Sequence, residues 1–438
     1  MDIARTARRI PIALICGAFA LAPLKAAAQQ HTYTFAAIPW GSDESTVRTA
    51  LTAKGYTFTK VDDDGDLDYS GTLDGNAVTL YALMTPAPNR GLVKIFIGVL
   101  TSDEHALAEF ASLRNTLIAQ YGQPSISGRR FDSPYVDGDG NEQTAIKDGK
   151  GHIAAIWKNT SNDITTGGLT ILVSDKLTVN SAYESPAWNT EADRRAALTS
   201  IADNTAALKV DSNDASAYVN RGRARQMLDD PQGAISDFAR ALKADSTYSS
   251  AYVNLTVARG TLGDFAAALA DADSALRVDP KDAFGYEARS YTHLALGEGV
   301  SATSDALAAL HMREPSNQHF LYGIIVGYLG LRQTGSAQDA ATFLATWAPK
   351  ADSTMWPYAV VQYFQHKVTG AALLAGANDS DQMTEARTYL ALDLILAGTP
   401  QAARPQLAWV RQNGTRTYFE YPVALAALKR LPPSQASH

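Results

Sequence analysis

Hydrophobic and polar residues follow two different rhythms along this chain. Between residues 56 and 100, short apolar-rich runs are separated by Gly and Asp-Gly-Asn turns, a pattern that predicts β-strands. From about residue 191 onward, apolar positions recur every three to four residues, which is the period of an amphipathic helix. The pattern therefore predicts a β-rich region followed by an all-helical one.

The first region, residues 31–180, also contains two predicted helices. Ser42 caps the first, which Gly55 ends; Thr101 caps the second, which carries the inward stripe Leu107, Phe110, Leu117 and Tyr121. The predicted strands are 56–61, 67–72, 78–84, 91–100, 153–158 and 169–173, and the fourth is apolar enough to be covered on both faces. We expect an α+β domain with a mixed sheet and helices on one face, built from two tandem βαβββ halves.

The helical region contains one pattern written three times at a constant step. The positions that keep this step are Tyr218, Tyr252 and Tyr286; Ala234, Ala268 and Ala302; and Ala241, Ala275 and Ala309. A fixed period of this kind is the signature of a solenoid, in which each repeat buries its apolar side against its neighbours.

These repeats resemble tetratricopeptide (TPR) repeats. The resemblance rests on an aromatic residue at the fourth position, a small residue at the twentieth, Ala at the twenty-seventh, and the closing pair Asp279-Pro280. The departures are Arg221 and Arg289 where the family has Leu, Thr256 and Ser290 where it has Gly, and Ser246 where it has Pro. The resemblance implies an all-α solenoid in which the first helix of each repeat lines a concave face.

The remaining boundaries follow from these patterns. We expect a linker at 181–190, TPR repeats over 191–350 that are clearest at 215–315, a C-terminal helical repeat and cap over 351–431, and a disordered tail at 432–438. Trp356-Pro357, Glu385-Ala386 and Phe419-Glu420-Tyr421 resemble the C-terminal part of bacterial envelope TPR proteins, including lipoprotein adaptors. We interpret the aromatic residues here as a capping core rather than a ligand-binding cluster.

Residues 1–28 read as a secretory signal peptide. Arg5, Arg8 and Arg9 precede a short apolar run and the sequence Ala26-Ala27-Ala28, after which we expect cleavage. The only cysteine, Cys16, follows Ile15 rather than a small residue, which argues against lipid attachment. We therefore expect a periplasmic or secreted protein.

The net charge of the chain bears on the kind of partner that it binds. Removing the signal takes the formal net charge from −7 to −10, and the chain lacks the Lys and Arg clusters that phosphate backbones require. This balance argues against nucleic acid as a partner. A hydrophobic content of 46% over 438 residues is enough for two or three domains without disulfides.

Candidate metal and catalytic chemistry is sparse. The acidic run 137–148 has oxygen ligands at three EF-hand positions and Asp148 at the twelfth, but Glu142 replaces the required Gly; the run 62–68 fits less well. We favour hairpin turns for both runs. Zinc-type histidine pairs, a phosphate-binding loop and a serine nucleophile elbow are missing, so we expect no cofactor and no bound metal.

The TPR resemblance names a candidate peptide-binding face. Asn220 and Asn254 occupy the sixth position, where the family uses an amide to hydrogen-bond a peptide backbone. Alternatively these amides satisfy neighbouring helices, and the sequence favours neither interpretation. The other face positions are Val219, Arg223, Val253, Val257, Glu287 and Tyr291.

Three functions remain. The first is an exported, non-catalytic adaptor that holds a peptide or protein partner in the cell envelope. The second is an envelope enzyme with an active site in the first domain, for which converging acids near His105 or His152 are required. The third makes the first domain a protein-binding module that pairs through an edge strand.

Overall fold

The chain divides into two compact units, residues 1–195 and 196–438, which we call the N-terminal unit and the helical unit. The computed structural model describes residues 33–88, 90–99, 105–158, 168–174, 176–185 and 187–432. The predicted signal peptide, the predicted cap Thr101 and all but the first residue of the predicted tail lie outside the described residues.

The N-terminal unit is an α+β domain, as predicted. Its elements are helices α1 (Glu44–Ala53), α2 (Ala106–Tyr121) and α3 (Glu142–Lys147), and strands β1 (Thr57–Val61), β2 (Leu67–Leu73), β3 (Asn76–Met84), β4 (Leu92–Val99), β5 (Ile126–Phe131), β6 (Gly151–Lys158), β7 (Gly168–Val173) and β8 (Val179–Glu184). The cap of α1 is Asp43 instead of the predicted Ser42, because Asp43 accepts a hydrogen bond from the amide of Thr46 at 2.7 Å.

All eight strands form one sheet in the order β1-β2-β3-β4-β8-β7-β6-β5. Each half of the N-terminal unit begins with a helix and supplies four strands, and the halves meet where β4 pairs with β8. The expected βαβββ order of the two halves is wrong, because in each half a helix comes first and all four strands follow it. The expected mixed sheet is wrong, because every neighbouring pair is antiparallel.

The hydrophobic core lies between the sheet and the helices α1 and α2. Val47 and Leu51 of α1 and Phe110 and Leu117 of α2 belong to one buried cluster with alternate residues of the strands. A second buried cluster on β3 and β4 includes Trp188. Every residue of β4 is buried, which confirms the prediction of a strand covered on both faces.

The predicted linker at 181–190 is wrong. Residues 181–184 belong to β8, where Ser181 pairs with Ile97 and Tyr183 pairs with Ile95 of β4. The next helix begins at Trp188. The segment is therefore part of the core of the N-terminal unit rather than an exposed connection.

The remaining chain is helical. Its helices are α4 (Trp188–Val210), α5 (Ala215–Met227), α6 (Pro231–Ala244), α7 (Ser249–Thr261), α8 (Phe265–Val278), α9 (Ala283–Leu296), α10 (Gly299–His311), α11 (Gln318–Gln333), α12 (Ala337–Trp347), α13 (Tyr358–Phe364), α14 (Gly370–Gly376), α15 (Ser380–Leu396), α16 (Pro400–Asn413) and α17 (Glu420–Arg430). In the described residues, no helix combines the length and apolarity needed to span a membrane.

The pairs α5/α6, α7/α8 and α9/α10 are the three predicted repeats. Their first helices begin at residues 215, 249 and 283, so they keep the constant step of the sequence pattern. Asp230 and Asp264 cap the second helices of the first two repeats by accepting backbone hydrogen bonds at 2.8 and 3.1 Å. At the eighth position, a Cβ on Gly222 would lie 2.5 Å from the Phe238 ring, so only glycine allows this contact. The structure confirms an all-α solenoid.

Buried ion pairs explain two departures from the TPR pattern. Arg221 donates two hydrogen bonds to Asp237, at 2.9 and 2.7 Å, and Arg289 donates two to Asp305, both at 2.8 Å. Each arginine stands 16 residues before its aspartate, on the other helix of the same repeat. A bidentate ion pair between the two helices of the repeat thus occupies the position where the TPR pattern has Leu.

The second repeat keeps the aspartate without that arginine. Asp271 is buried and faces the partly exposed Arg259, whose Nε lies 3.1 Å from Asp271 Oδ2. Burial raises the pKa of Asp271 to about 6, against the opposing effect of Arg259. The second repeat therefore carries a carboxylate that the fold disfavours when it is ionised.

We expect Asp271→Asn to stabilise the protein at pH 7. Because the folded pKa is raised, the folded state binds the proton more tightly, and stability falls as the pH rises from about 4 to about 6. The variant should therefore gain about 1–2 kcal/mol at pH 7 and nothing at pH 4, measured by urea unfolding at both values. The control is Asp273→Asn. Asp273 lies on α8 like Asp271, but it is a half-exposed partner of Arg289, so this variant should give no such gain. Equal effects of Asp271→Asn at both pH values would contradict this account.

Candidate functional site

The C-terminal helix of the chain packs on the surface predicted to bind a ligand. We call the surface that carries position nine of each repeat, namely Arg223, Val257 and Tyr291, the repeat face. Helix α17 contacts α7 and α9 of the repeats and also α15. The ring of Phe419, just before α17, stacks on Tyr291 with centroids 5.3 Å apart. A Cβ on Gly260 would lie 3.0 Å from Pro422 Cβ, so α7 and α17 approach closely.

Exposure at position nine changes along the repeat face. Arg223 in the first repeat is exposed, whereas Val257 is 3% exposed and Tyr291 is 2% exposed. The second and third repeats are therefore covered by the chain itself. The first repeat is the part of the repeat face that remains open to solvent.

The two asparagines differ in their contacts. Asn220 is exposed, and within the described residues its side chain makes no hydrogen bond. Asn254 Nδ2 donates to the carbonyl oxygen of Ser250 at 2.7 Å and lies 3.4 Å from its hydroxyl, one turn earlier on α7. Asn254 is therefore bonded within its own helix and not to a neighbouring one, whereas the side chain of Asn220 makes no such bond within the described residues.

Several predicted face residues lie inside the protein instead. Val219 belongs to the hydrophobic cluster formed with α6 and α7, and Val253 is half-buried. Glu287 is buried, with Arg313 Nη1 at 2.6 Å and His319 Nδ1 at 3.2 Å. The expectation that Val219, Val257, Glu287 and Tyr291 line an open groove is corrected, because their side chains are used in internal packing.

A buried carboxyl holds the C-terminal helix to the third repeat. Tyr291 donates a hydrogen bond to Glu420 Oε1 at 2.7 Å, and Tyr389 of α15 donates to the same oxygen. The two tyrosine hydroxyls also lie 2.5 Å apart. Burial raises the pKa of Glu420 and raises the pKa of both tyrosines well above the ordinary value. The cluster joins α9, α15 and α17 through three side chains.

A second buried carboxyl lies in the same part of the helical unit. Glu385 accepts hydrogen bonds from the hydroxyl of Tyr322 at 2.8 Å and from Trp356 Nε1 at 2.7 Å. Burial, followed by the charge of Glu420, raises the pKa of Glu385 well above its usual range. Within the described residues, no cation pairs with either carboxyl. These groups are enclosed and hydrogen-bonded, so they stabilise the helix packing and are not placed to meet a substrate.

The N-terminal unit contains the two histidines named for the enzyme hypothesis. His105 precedes α2, His152 lies on β6, and both side chains are exposed. The larger buried cluster of this unit consists of hydrophobic residues, and neither histidine belongs to it. No converging acids and histidine line a pocket in the parts of this unit that the structure describes.

The acidic run that fitted the EF-hand pattern less well is the one whose carboxylates converge. Oxygens of Asp62, Asp64 and Asp66 lie within 4.8 Å of one another. Asp66, however, accepts two hydrogen bonds from Arg195, at 2.6 and 2.8 Å, and a third from the amide of Met84 at 2.9 Å. Asp62 accepts from the amides of Asp64 and Asp66, as in a tight turn.

The second acidic run forms an internally bonded loop. Asp137 pairs with Arg129 at 2.8 Å, Glu142 accepts from the amide of Gly138 at 2.9 Å, and Asp148 accepts from the hydroxyl of Tyr135 at 2.5 Å. Asp137 and Glu142 both lie against Arg129, with Glu142 Oε1 3.5 Å from Arg129 Nη2, whereas Asp148 is bonded to Tyr135. The hairpin turn favoured from the sequence is wrong for the second half of this run, because residues 142–147 form helix α3.

Comparisons with known proteins return only distant likenesses. Neither a protein-family model nor a curated protein matches the chain. Among solved structures, it is similar to MamA (19% identity, 34% of this chain and 85% of MamA, TM-score 0.31). It is also similar to YrrB, described as a TPR protein with an unusual peptide-binding site (15% identity, 52% and 96% of the chains, TM-score 0.30). A third is a tetratricopeptide repeat protein from Parabacteroides merdae (14% identity, 53% and 91% of the chains, TM-score 0.36).

These TM-scores are too low to support any argument about what the chain binds. The fold assignment rests on the chain's own geometry, which has three helix pairs at a constant step and close contacts at the small-residue positions. On this evidence, the helical unit of the chain is a solenoid of the tetratricopeptide-repeat type.

Proposed function

We propose that this chain is a protein-interaction scaffold that holds a peptide or protein partner against the first repeat of the repeat face. The observation that carries the proposal is the contrast between Arg223, which is exposed, and its equivalents Val257 and Tyr291, which are covered by the chain itself. Asn220, one turn away on α5, is also exposed. Position nine of the repeat face is thus covered in the second and third repeats and exposed in the first.

The chemistry of this end suits a peptide. The amide of Asn220 offers a donor and an acceptor, which match the two polar groups of a peptide bond in any sequence. The guanidinium of Arg223 matches a carboxylate at a chain end or on an acidic side chain. Within the described residues neither group has an ion pair or hydrogen bond that a ligand must break.

The enzyme alternative has less support. Burial raises the pKa values of Glu385, Tyr291 and Tyr389 in the helical unit well above their ordinary values, and all three side chains are enclosed by neighbours. A catalytic acid or base must reach the substrate proton within hydrogen-bonding distance. Binding without catalysis accounts for the exposed side chains of Asn220 and Arg223 and requires no catalytic site in addition.

The edge-strand alternative is opposed by features of both edges. Edge strand β1 carries a register shift between Phe58 and Lys60, and a bulge and an edge lysine both discourage pairing with another chain. The other edge, β5, carries Arg129 and Arg130 side by side. We therefore assign the partner to the helical unit.

We propose that this binding takes place in the periplasm or outside the cell. The support is the sequence of residues 1–28, with its basic start, apolar run and Ala26-Ala27-Ala28. The matching experiment is intact-mass measurement of the protein from a periplasmic fraction. A chain beginning at Gln29 agrees with export, whereas a chain that keeps Met1 in the cytoplasmic fraction contradicts it.

The partner experiment starts with affinity capture by the mature protein from a periplasmic extract, followed by mass spectrometry. With the captured partner, the double change Asn220→Ala and Arg223→Ala should weaken affinity at least tenfold, because it removes one amide and one charged contact. The matched control is Arg240→Ala, which removes an exposed arginine from α6, the second helix of the same repeat. Unchanged affinity in the double variant, with helicity intact by circular dichroism, would remove the first repeat from the binding site.

A further inference from the structure

The contact between α17 and the helices beneath it treats buried carboxyls differently from the rest of the helical unit. Elsewhere in this unit, four buried carboxyls each have an arginine nitrogen within 3.1 Å, namely those of Asp237, Asp271, Glu287 and Asp305. Glu385 and Glu420 are only 2% and 3% exposed, yet no Lys, Arg or His pairs with either of them in the part of the chain that the structure describes. Glu420 lies on α17, and Glu385 lies on α15, which α17 contacts.

Neutral donors take the place of the missing counter-charge. The hydrogen bonds to these two carboxyls come from three tyrosine hydroxyls and one indole N–H. A buried carboxylate without a counter-charge is costly, whereas the neutral acid is well accommodated among such donors. Burial raises the pKa of both carboxyls, and the charge of Glu420 raises the pKa of Glu385 further. The contact is therefore most favourable when both groups are protonated.

The other ionisable groups on α9, α11 and α15 add negative charge or none. Those that interact electrostatically with Glu420 are Glu287, Tyr291, Tyr322, Glu385, Tyr389 and Tyr418. Two cations lie near Glu287, but both are paired with it, because Arg313 Nη1 is 2.6 Å and His319 Nδ1 is 3.2 Å from its carboxylate. Ionisation of Glu420 therefore places a further negative charge among carboxyls.

The charged residues of α7 and α16, the other helices that α17 contacts, have different partners. Arg259 of α7 pairs with Asp271 at 3.1 Å. On α16, Arg404 donates to the carbonyl oxygen of Pro432, and Arg411 is exposed to solvent. Among the described residues, these helices thus supply no ion pair that compensates a charge on Glu420.

This contact also decides how much of the repeat face is covered. Tyr291, which donates to Glu420, is itself the position-nine residue of the third repeat and stacks against Phe419. Val257 is the buried position-nine residue of the second repeat, on the helix that α17 approaches at Gly260. Undocking of α17 would therefore expose the second and third repeats next to the open first repeat.

We propose that Glu385 and Glu420 form a pH-sensitive switch, which keeps α17 on the repeat face at acidic pH and releases it as the pH rises. The docked state binds the protons more tightly, because undocking returns Glu420 to solvent and separates its charge from Glu385. Docking is therefore strongest below the ordinary pKa of a carboxyl and weakens above it. Each pH unit in that interval raises the undocked fraction by up to tenfold for each proton released. That release regulates partner binding rests on the proposed function, because the uncovered repeats continue the surface at Arg223.

Thiol labelling measures the release directly, since residues 29–438 contain no cysteine. Ala424→Cys places a thiol at a fully buried position of α17, and Ala241→Cys places one at a fully buried position of α6. The full mature chain is treated with dithiodipyridine at pH 5 and pH 8, and each rate is divided by the rate of the same variant unfolded in urea at that pH. Protection at Ala424→Cys should fall at least tenfold between these pH values, whereas protection at Ala241→Cys should not. Equal changes at both positions would overturn the proposal, because they report unfolding of the whole helical unit.

A double variant tests whether these two carboxyls are responsible. Combining Glu385→Gln with Glu420→Gln keeps an oxygen acceptor for each donor but removes both ionisations, so protection at Ala424→Cys should no longer depend on pH. The matched control is Glu314→Gln, which changes an exposed carboxyl of the same unit and should leave the fall in protection unchanged. A fall that persists in the double variant would overturn the assignment of the switch to Glu385 and Glu420.

Hydrogen exchange provides the same test without a cysteine, in case Ala424→Cys does not fold. In the unsubstituted chain, protection of residues 415–431, corrected for the intrinsic exchange rate, should fall with rising pH more than protection of α6. Equal protection of residues 415–431 at both pH values would overturn the switch. Neither measurement uses a partner, so a failure of partner binding at Asn220 and Arg223 is distinguishable from a failure of the switch.

Discussion

Replacing Lys94 by Met is expected to lower the free energy of unfolding of the N-terminal unit by about 3–5 kcal/mol. Lys94 lies on the fully buried strand β4 and is 1% exposed; its Nζ lies 2.8 Å from Glu184 Oε1 on β8. Burial lowers the pKa of Lys94, and Glu184 opposes that shift. Nζ also lies 4.3 Å from the centre of the Trp188 ring. The substitution removes the Lys94 cation from the buried carboxylate of Glu184.

A second variant distinguishes the lost charge from lost packing. The double variant Lys94→Met with Glu184→Leu should recover most of the lost free energy of unfolding, because an apolar pair often replaces a buried ion pair without loss of stability. Lys60→Met on β1 is the control, since its contact with Asp68 is 4.0 Å long and the lysine is largely exposed. Urea unfolding gives the free energies, and hydrogen exchange in β4 and β8 assigns the loss to this unit. A loss below about 1 kcal/mol in the single variant would contradict the account.

The helical repeats could be predicted from sequence because each repeat specifies itself locally. The spacing of Tyr218, Tyr252 and Tyr286 gave the register of all three helix pairs. The repeat pattern does not indicate the partners of Arg221 and Arg289, because these partners stand 16 residues away on another helix. The signal was present, since the acids at the partner positions keep the same step as the tyrosines: Asp237, Asp271 and Asp305.

The strand directions could not be predicted in the same way. Alternation of apolar residues specifies that a segment is a strand but not which strand it pairs with. β8, with the sequence VNSAYE, has too few apolar residues to stand out, although it completes the sheet beside β4. Because the sequence pattern does not indicate β8, we expected a mixed sheet instead of an antiparallel one. For the same reason, we expected residues 181–190 to be a linker.

The covering of part of the repeat face by α17 could not be predicted from the sequence either. The TPR register placed Tyr291 correctly on the first helix of its repeat, but its hydroxyl meets Glu420, 129 residues later. This contact forms because α17 packs back against the repeats. A local sequence pattern does not indicate such packing between residues so far apart in the chain. Asn220 and Arg223 are the predicted positions that the returning helix leaves exposed.

Replacing Glu420 by Gln is expected to remove one of several contributions to the pH dependence of the helical unit's stability, leaving others such as those of Glu385 and Asp271. The folded pKa of Glu420 is raised by burial, so the folded state holds the proton more tightly than the unfolded chain. The stabilisation is complete below the unfolded pKa and is lost as the pH rises through the folded value. Gln keeps an oxygen acceptor for Tyr291 and Tyr389 but never ionises. The variant should match the original chain near pH 4 and exceed its stability at pH 8, by about 1.4 kcal/mol for each tenfold difference in proton affinity between the two states.

Glu420→Leu tests the acceptor itself. Without the carboxyl, the buried hydroxyls of Tyr291 and Tyr389 lose their shared acceptor, and stability should fall by about 1–3 kcal/mol even at pH 4. Glu298→Gln, which changes a half-exposed carboxyl, is the control and should alter neither value appreciably. Guanidinium unfolding at pH 4, 6 and 8, followed by circular dichroism at the helix band, provides the comparison. If the Gln variant keeps the original pH slope, the carboxyl of Glu420 is ionised in the folded protein and does not hold α17 in its neutral form.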